Sequence, residues 1–168
     1  FGYFGSVNAN YDNHFDNIYP WSGRKLCNIS LDSYLALSSE DSIVDCVSAW
    51  ENGIGFNMEH ADGVWVYTPE YWYRRWDKDG FRYIAISGVL IDGWNYSPER
   101  IRPRWKGVME DRVIEGATKT ILLPKVGQPA ASVAMSSMHG YAKNANMTLE
   151  NIYSFDAEAA LYLVEYAN

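Results

Sequence analysis

The chain has 168 residues, of which 48% are hydrophobic and 15% aromatic, and its formal net charge is −7. This length and apolar content suffice for one folded domain with its own core and are not typical of a disordered segment. The acidic balance argues against a nucleic-acid binder, which normally presents a clustered basic face. No apolar run approaches the length of a membrane span, so we expect no membrane insertion.

The first 23 residues are rich in Gly, Asn, Asp and aromatic side chains. Asn and Asp hydrogen bond to nearby backbone and favour turns over regular structure. The sequence therefore predicts an extended segment over residues 1–23, with aromatic side chains that contact another subunit, and a single domain over residues 24–168. The chain does not open with Met, and we expect a fragment or a processed chain.

The next part of the chain predicts short elements of structure. Lys25–Ile29 and Tyr34–Leu37 are predicted as strands, and residues 43–50 fit either a strand or a short helical turn. Cys27 and Cys46 are too few for a disulfide scaffold. Two buried thiols are favoured over a single bridge.

Residues 64–91 predict a long β-hairpin. Two aromatic and β-branched runs, Val64–Trp76 and Phe81–Ile91, flank Asp77-Lys78-Asp79-Gly80. Such residues suit a pleated, half-buried surface, and Asp-Gly between two such runs is a strong hairpin signal. Pro69 cannot donate to a strand ladder, so it marks an edge or a bulge in the first strand.

After the hairpin, residues 95–103 are predicted as a loop in which the basic residues from Arg100 onward are solvated or form a strand edge. Further short strands are predicted over Trp105–Val108, Val113–Ile114 and Thr118–Leu123.

The last third of the chain changes to a helical period. Apolar residues at helical spacing predict a first helix over Ala130–Asn144, and Ser154 is predicted to cap a second one. One face of the second helix holds Ile152, Phe155, Ala159, Tyr162, Leu163 and Tyr166, and a second apolar face holds Ala157, Leu161 and Val164. Because both faces are apolar, this helix is predicted to be well buried. Strands first and helices last indicate an α+β fold.

No motif in the sequence predicts catalysis, a metal site or a cofactor. The three histidines and two cysteines have no metal-ligand spacing, and neither a nucleophile elbow nor a phosphate-binding loop occurs. Glycan hydrolysis would need two carboxylates across a sugar site, and Glu70, beside Tyr71 and Trp72, is the one candidate. We therefore expect a protein that is not an enzyme.

Aromatic side chains near predicted loops are the candidate ligand-binding residues: Trp72, Trp76, Trp94, Tyr96 and Trp105. An exposed aromatic face can stack on the apolar face of a sugar ring while polar neighbours bind its hydroxyls. The alternative is that these aromatics form the core and subunit contacts of a purely architectural module.

Three segments together resemble one protein family. They are IYPWSGRKLCN at 18–28, then DGVWVYTPEYWYR at 62–74 with Ile86-Ser87, IDGW at 91–94 and Pro98, and finally LYLVEYAN at 161–168. They resemble a family of bacteriophage tail or virion-appendage proteins. The resemblance runs from about Ile18 to Asn168 and includes no catalytic signature.

The resemblance implies a C-type-lectin-like fold, or a truncated form of it, because members of that family usually continue past the last helix. It implies a virion structural and adhesion domain of a tail fibre, tail tip or head appendage, which recognises a host-surface glycan or receptor. Its partners would be other virion proteins and further copies of itself, with a trimer favoured. Glycan degradation is the remaining alternative.

Overall fold

The computed structural model describes residues 14–92, 98–109, 111–127, 130 and 133–166. Within them the fold is α+β, as predicted, with antiparallel strand pairs in the first two-thirds and two helices in the last third. The strands are β1 Lys25–Ile29, β2 Val47–Trp50, β3 Trp65–Thr68, β4 Tyr71–Lys78, β5 Phe81–Ser87, β6 Glu99–Ile101, β7 Arg104–Gly107, β8 Asp111–Glu115 and β9 Thr120–Pro124. The α-helices are α1 Leu31–Leu35, α2 Met135–Asn144 and α3 Ile152–Tyr166, and 3-10 turns cover His14–Asn17, Trp21–Gly23 and Ile43–Cys46.

The described residues fall into two compact units. The first lies within residues 1–24, 68–104 and 150–168, and the second within residues 25–67 and 105–149. The predicted boundary at residue 23 and the predicted single domain stay predictions. The structure also contains no described helix that is both long and apolar enough to cross a membrane.

The first unit is built on a three-stranded sheet of order β5-β4-β6. Lys78 pairs with Phe81, which leaves Asp79 and Gly80 as a two-residue turn. Their φ angles are 53° and 80°. Two positive φ angles are what a type I′ hairpin turn requires, so the predicted Asp-Gly turn is confirmed.

Helix α3 covers one face of this sheet. Tyr71 and Tyr73 on β4 are buried in a core with Trp21 and Leu161. The Tyr71 hydroxyl donates to the carbonyl oxygen of Ala157 at 2.9 Å, so the strand and the helix are joined by a hydrogen bond as well as by packing. Burial raises the pKa of Tyr71 to about 12.

The second unit has a four-stranded sheet of order β2-β1-β3-β7 and a separate β8–β9 hairpin. Its core contains Cys27, Ile29, Leu31, Trp65, Leu123 and Ala145. Cys27 and Cys46 are both buried free thiols, as predicted. Burial raises the pKa of the Cys27 thiol to about 11.

The predicted extent of the first hairpin strand, Val64–Trp76, is wrong. Residues 64–76 form two strands, β3 and β4, that belong to different sheets, and Pro69 lies between them. Proline lacks the N–H that a continuous ladder would use, so the strand ends there instead of bulging. Within residues 95–103, the described part also contains β6, at the edge of the three-stranded sheet, where a loop was predicted.

The predicted strand over Tyr34–Leu37 is also wrong, because α1 occupies Leu31–Leu35. The Ser30 hydroxyl accepts from the Ser33 N–H at 3.2 Å, and the Asp62 carboxylate accepts from the Leu31 N–H at 3.0 Å. These two acceptors satisfy backbone donors that a helix start leaves without an intrahelical partner.

Both C-terminal helices begin elsewhere than predicted. Helix α2 begins at Met135 and not at Ala130. Helix α3 begins at Ile152, and the side chain of Asn151 caps it by accepting from the N–H groups of Tyr153 and Ser154, both at 3.0 Å. Ser154 is the reciprocal partner, since its hydroxyl accepts from the Asn151 N–H at 3.0 Å.

The prediction that α3 is well buried is wrong for one of its two apolar faces. Ala157, Ala160 and Leu161 are fully buried in the first unit. The other face is exposed, with Ile152 at 71% and Phe155 at 58%. Within the described residues, a sheet covers only one of the two apolar faces of α3.

Candidate functional site

The face of the three-stranded sheet opposite α3 carries aromatic and cationic side chains. Tyr71 and Tyr73 point toward α3, so the alternation of a strand places Trp72, Arg74 and Trp76 on the opposite face. Cross-strand register adds Tyr83, which pairs with Trp76, and Arg100, which pairs with Trp72. We call these five residues the aromatic face.

Trp76 contacts both a cation and a second aromatic ring. The Arg74 guanidinium carbon lies 4.1 Å from the Trp76 ring centroid, a cation–π contact. The Tyr83 ring stacks on Trp76 with a centroid distance of 5.2 Å and an interplanar angle of 12°. These two contacts occupy π surface of Trp76.

Trp72 is the better candidate for stacking on a ligand. It is half-buried, and among the described residues no aromatic ring or guanidinium stacks on it. Beside it, the Glu70 carboxylate accepts from Nε and Nη2 of Arg100 at 2.9 and 2.5 Å. The site therefore places an indole next to a charged pair, which is the combination of apolar platform and polar anchors that a sugar ring requires.

The predicted site residues are found in different surroundings. Trp72 and Trp76 share the aromatic face, whereas Trp105 on β7 belongs to the second unit. There Trp105 packs against the core and meets Tyr34 edge-on, with a centroid distance of 5.3 Å. Trp94 and Tyr96 lie outside the described residues.

The carboxylate predicted for hydrolysis has an arginine as its partner. Arg100 holds Glu70, and the geometry is that of an ion pair and not of two facing carboxylates. Glu99 and Asp156 do come together, since both accept from the Tyr73 hydroxyl, at 3.1 and 3.3 Å. Burial, followed by the charge of Glu99, raises the pKa of Tyr73. Asp156 is also bound by Arg75 at 2.6 Å. The arrangement is a hydrogen-bonded link between sheet and helix.

Arg74, Tyr83 and Arg100 were missed as candidate residues. For Tyr83 the signal is present in the sequence, because a two-residue turn at Asp79-Gly80 fixes the pairing of Trp76 with Tyr83. Arg74 follows from strand alternation between the two tryptophans. Nothing in the sequence indicates that Arg100 lies beside Trp72, because β4 and β6 pair although β5 and the residues after it lie between them in the chain.

No group of three His, Cys, Asp or Glu side chains that could hold a metal ion occurs in the part of the chain that the structure describes. Comparison of the chain with protein-family models, with curated proteins and with solved structures gives no match.

Proposed function

We propose that this chain is a non-enzymatic structural and adhesion domain of a bacteriophage virion, located on a tail fibre, tail tip or head appendage. Its aromatic face binds a host-surface glycan. The observation that supports this proposal is the position of Trp72, half-buried beside the Glu70–Arg100 pair on the face of the sheet opposite α3. A C-type-lectin-like architecture and a trimeric assembly with other virion proteins are part of the same proposal.

The residues of the aromatic face would have different roles in glycan binding. Trp72 supplies the surface that stacks on a sugar ring, because its own ring is not stacked within the described residues. Glu70 and Arg100 supply an acceptor and donors for hydroxyl groups. Arg74 and Tyr83 contact the Trp76 ring, so Trp76 helps to preorganise the face on which Trp72 lies.

A glycan array with the purified chain, followed by calorimetric titration of the strongest ligand, tests the proposal. Trp72→Ala should weaken binding about 10-fold or more, since 1.4 kcal/mol corresponds to a factor of ten. Tyr153→Ala is the matched control, because it removes an aromatic side chain that is 81% exposed and lies on α3. Equal loss in both variants, or no glycan bound at all, would reject the aromatic face as the ligand site.

A purely architectural role is the second candidate. It is favoured by the burial of Trp21 and Trp65, at 9% and 7% exposure, and by the contacts that already occupy Trp76. Under this role Trp72 would be covered by a neighbouring subunit. Its indole fluorescence should then be protected from acrylamide in the assembled particle and should not respond to any sugar.

A further inference from the structure

The guanidinium group of Arg100 has one edge occupied and another available. Its Nε and Nη2 atoms both donate to Oε2 of Glu70, at 2.9 and 2.5 Å. Each Nη atom carries two hydrogens, so this contact leaves Nη1 and the second hydrogen of Nη2 at the end of the group. No described residue accepts from Nη1, and the Arg100 side chain is 53% exposed. We call these two parallel N–H groups the Arg100 edge.

The Arg100 edge lies next to the candidate stacking surface. Arg100 on β6 pairs directly with Trp72 on β4. Directly paired residues of antiparallel strands carry their side chains on the same face, with Cβ atoms about 5 Å apart. The two bonds from Glu70 hold the guanidinium group in this position. A sugar ring stacked on the Trp72 indole therefore has the Arg100 edge within reach of a substituent at its rim.

The strands place an excess of positive charge on this side of the sheet. Alternation along β4 puts Arg74 and Lys78 on the same side as Trp72, and Arg100 joins them from β6. The described acidic residues of β4 and β6 belong to the other side, where they contact Arg82 and Tyr73: Asp77 and Glu99. Three cations and the carboxylate of Glu70 leave a local charge of +2 on a chain whose net charge is −7. This side of the sheet is therefore complementary to an anionic ligand.

A carboxylate is the group that matches the Arg100 edge. Its two coplanar oxygens can accept both N–H groups of one guanidinium edge, and such charge-assisted bonds are stronger than bonds to neutral hydroxyls. A phosphate monoester also matches this geometry, but it carries a charge of about −1.5 to −2, whereas a carboxylate carries −1. The smaller charge is repelled less by the neighbouring Glu70 carboxylate. The site therefore favours a carboxylated sugar.

We propose that the glycan bound by the aromatic face is acidic, with a sugar ring stacked on Trp72 and its carboxylate bound by the Arg100 edge. The inference rests on the proposed function and names the class of ligand that the site selects. Glu70 holds the Arg100 guanidinium in place, and its second oxygen, Oε1, remains for a sugar hydroxyl. A neutral sugar would make only the stacking contact and hydroxyl bonds, so it would bind less tightly.

A glycan array that carries uronic-acid and sialic-acid glycans beside the same glycans as methyl esters tests the proposal. Calorimetry of the strongest pair should show the acid binding about 10-fold or more tightly than its ester. Arg100→Gln should abolish this preference, and Arg100→Lys, which keeps the charge but lacks the planar fork, should restore only part of it. Arg82→Gln is the matched control, because Arg82 also pairs with a carboxylate, that of Asp77, but is 75% exposed on the other side of the sheet. It should keep the full preference for the acid.

The possible failures of the inference and of the proposed function are distinguishable. Equal binding of acid and ester, lost in Trp72→Ala, would overturn the inference and leave the proposed function intact. Tighter binding of phosphorylated than of carboxylated glycans on the same array would overturn the assignment of a carboxylate. An equal loss of preference in Arg100→Gln and Arg82→Gln, with wild-type circular dichroism spectra, would assign the preference to overall charge and reject the Arg100 edge. Failure to bind any glycan would reject the proposed function and the inference together.

Discussion

Replacement of Glu158 by alanine should destabilise the first unit far more than loss of an exposed ion pair. Glu158 is 14% exposed and accepts from Arg24 with one oxygen and from Arg104 with the other. Alanine at this position would leave two guanidinium groups near the core without their shared carboxylate. Removal of one partner from a buried pair typically costs about 3–5 kcal/mol.

The expected cost lies somewhat below that range, because the arginine side chains remain 31% and 22% exposed and solvent can screen part of their charge. We expect about 2–3 kcal/mol for Glu158→Ala, and less for Glu158→Gln, whose amide oxygen still accepts from one arginine. For a chain of this size the alanine variant should lower the melting temperature by about 5–10 °C.

Urea unfolding followed by circular dichroism measures the effect, with Asp77→Ala as the control. Asp77 forms the same type of pair with Arg82, but the two side chains are 69% and 75% exposed. Exposed pairs contribute about 0–1 kcal/mol. If Glu158→Ala and Asp77→Ala shift the urea midpoint equally, the Glu158 bridge does not stabilise the fold and the reasoning from burial is refuted.

Three further variants and one change of pH test other parts of the fold. Gly80→Ala should cost about 1 kcal/mol, because Gly80 has a φ of +80° although a Cβ there meets nothing within 4 Å. Gly140→Ala, equally unobstructed but inside α2, should instead stabilise by about 0.5–1 kcal/mol, and the same sign for both glycines would contradict this account. Asn28→Ala should cost about 2 kcal/mol in urea unfolding, because the buried amide accepts from the Asn57 N–H at 2.7 Å and donates to its carbonyl at 2.9 Å; an unchanged midpoint would refute this. Stability should also fall as the pH rises from about 9 toward 12, because burial raises the pKa of Cys27 to about 11 and of Tyr71 to about 12 and the unfolded chain releases these protons first. Equal urea midpoints at pH 7 and pH 10.5 would show that neither group is linked to folding.

The sequence predicts this fold best where a local signal determines the geometry. Asp79-Gly80 specifies a type I′ turn without reference to the rest of the chain, and the turn then sets the register of β4 against β5. The α+β order of elements follows in the same way from the change in hydrophobic period. Pro69 was recognised as incompatible with a ladder, but its local effect does not reveal that β3 and β4 enter different sheets.

Errors occur where distant residues determine the outcome. Helix α1 depends on Asp62, which accepts from the Leu31 N–H although it lies 31 residues further along the chain. The pairing of Arg100 with Trp72 likewise joins strands that no turn connects directly. Such contacts leave no periodic pattern in a single sequence, so α1, β6 and the position of Arg100 beside Trp72 were not predicted.

Two elements of the first unit, β4 and α3, carry large side chains on both of their faces, although only one face of each packs into the core. The odd-numbered residues Tyr71 and Tyr73 of β4 fill the core, and the even-numbered Trp72 and Trp76 are nonetheless large and aromatic. Helix α3 repeats this arrangement, with Leu161 buried on one side and Ile152 and Phe155 exposed on the other. A solvent-facing strand or helix face is normally polar, because apolar side chains there add nothing to the stability of the monomer. The large side chains on these second faces are therefore not explained by the described core of the first unit. The cationic and carboxylate groups beside Trp72 are the reason that the proposed function assigns a polar ligand to that side of the sheet.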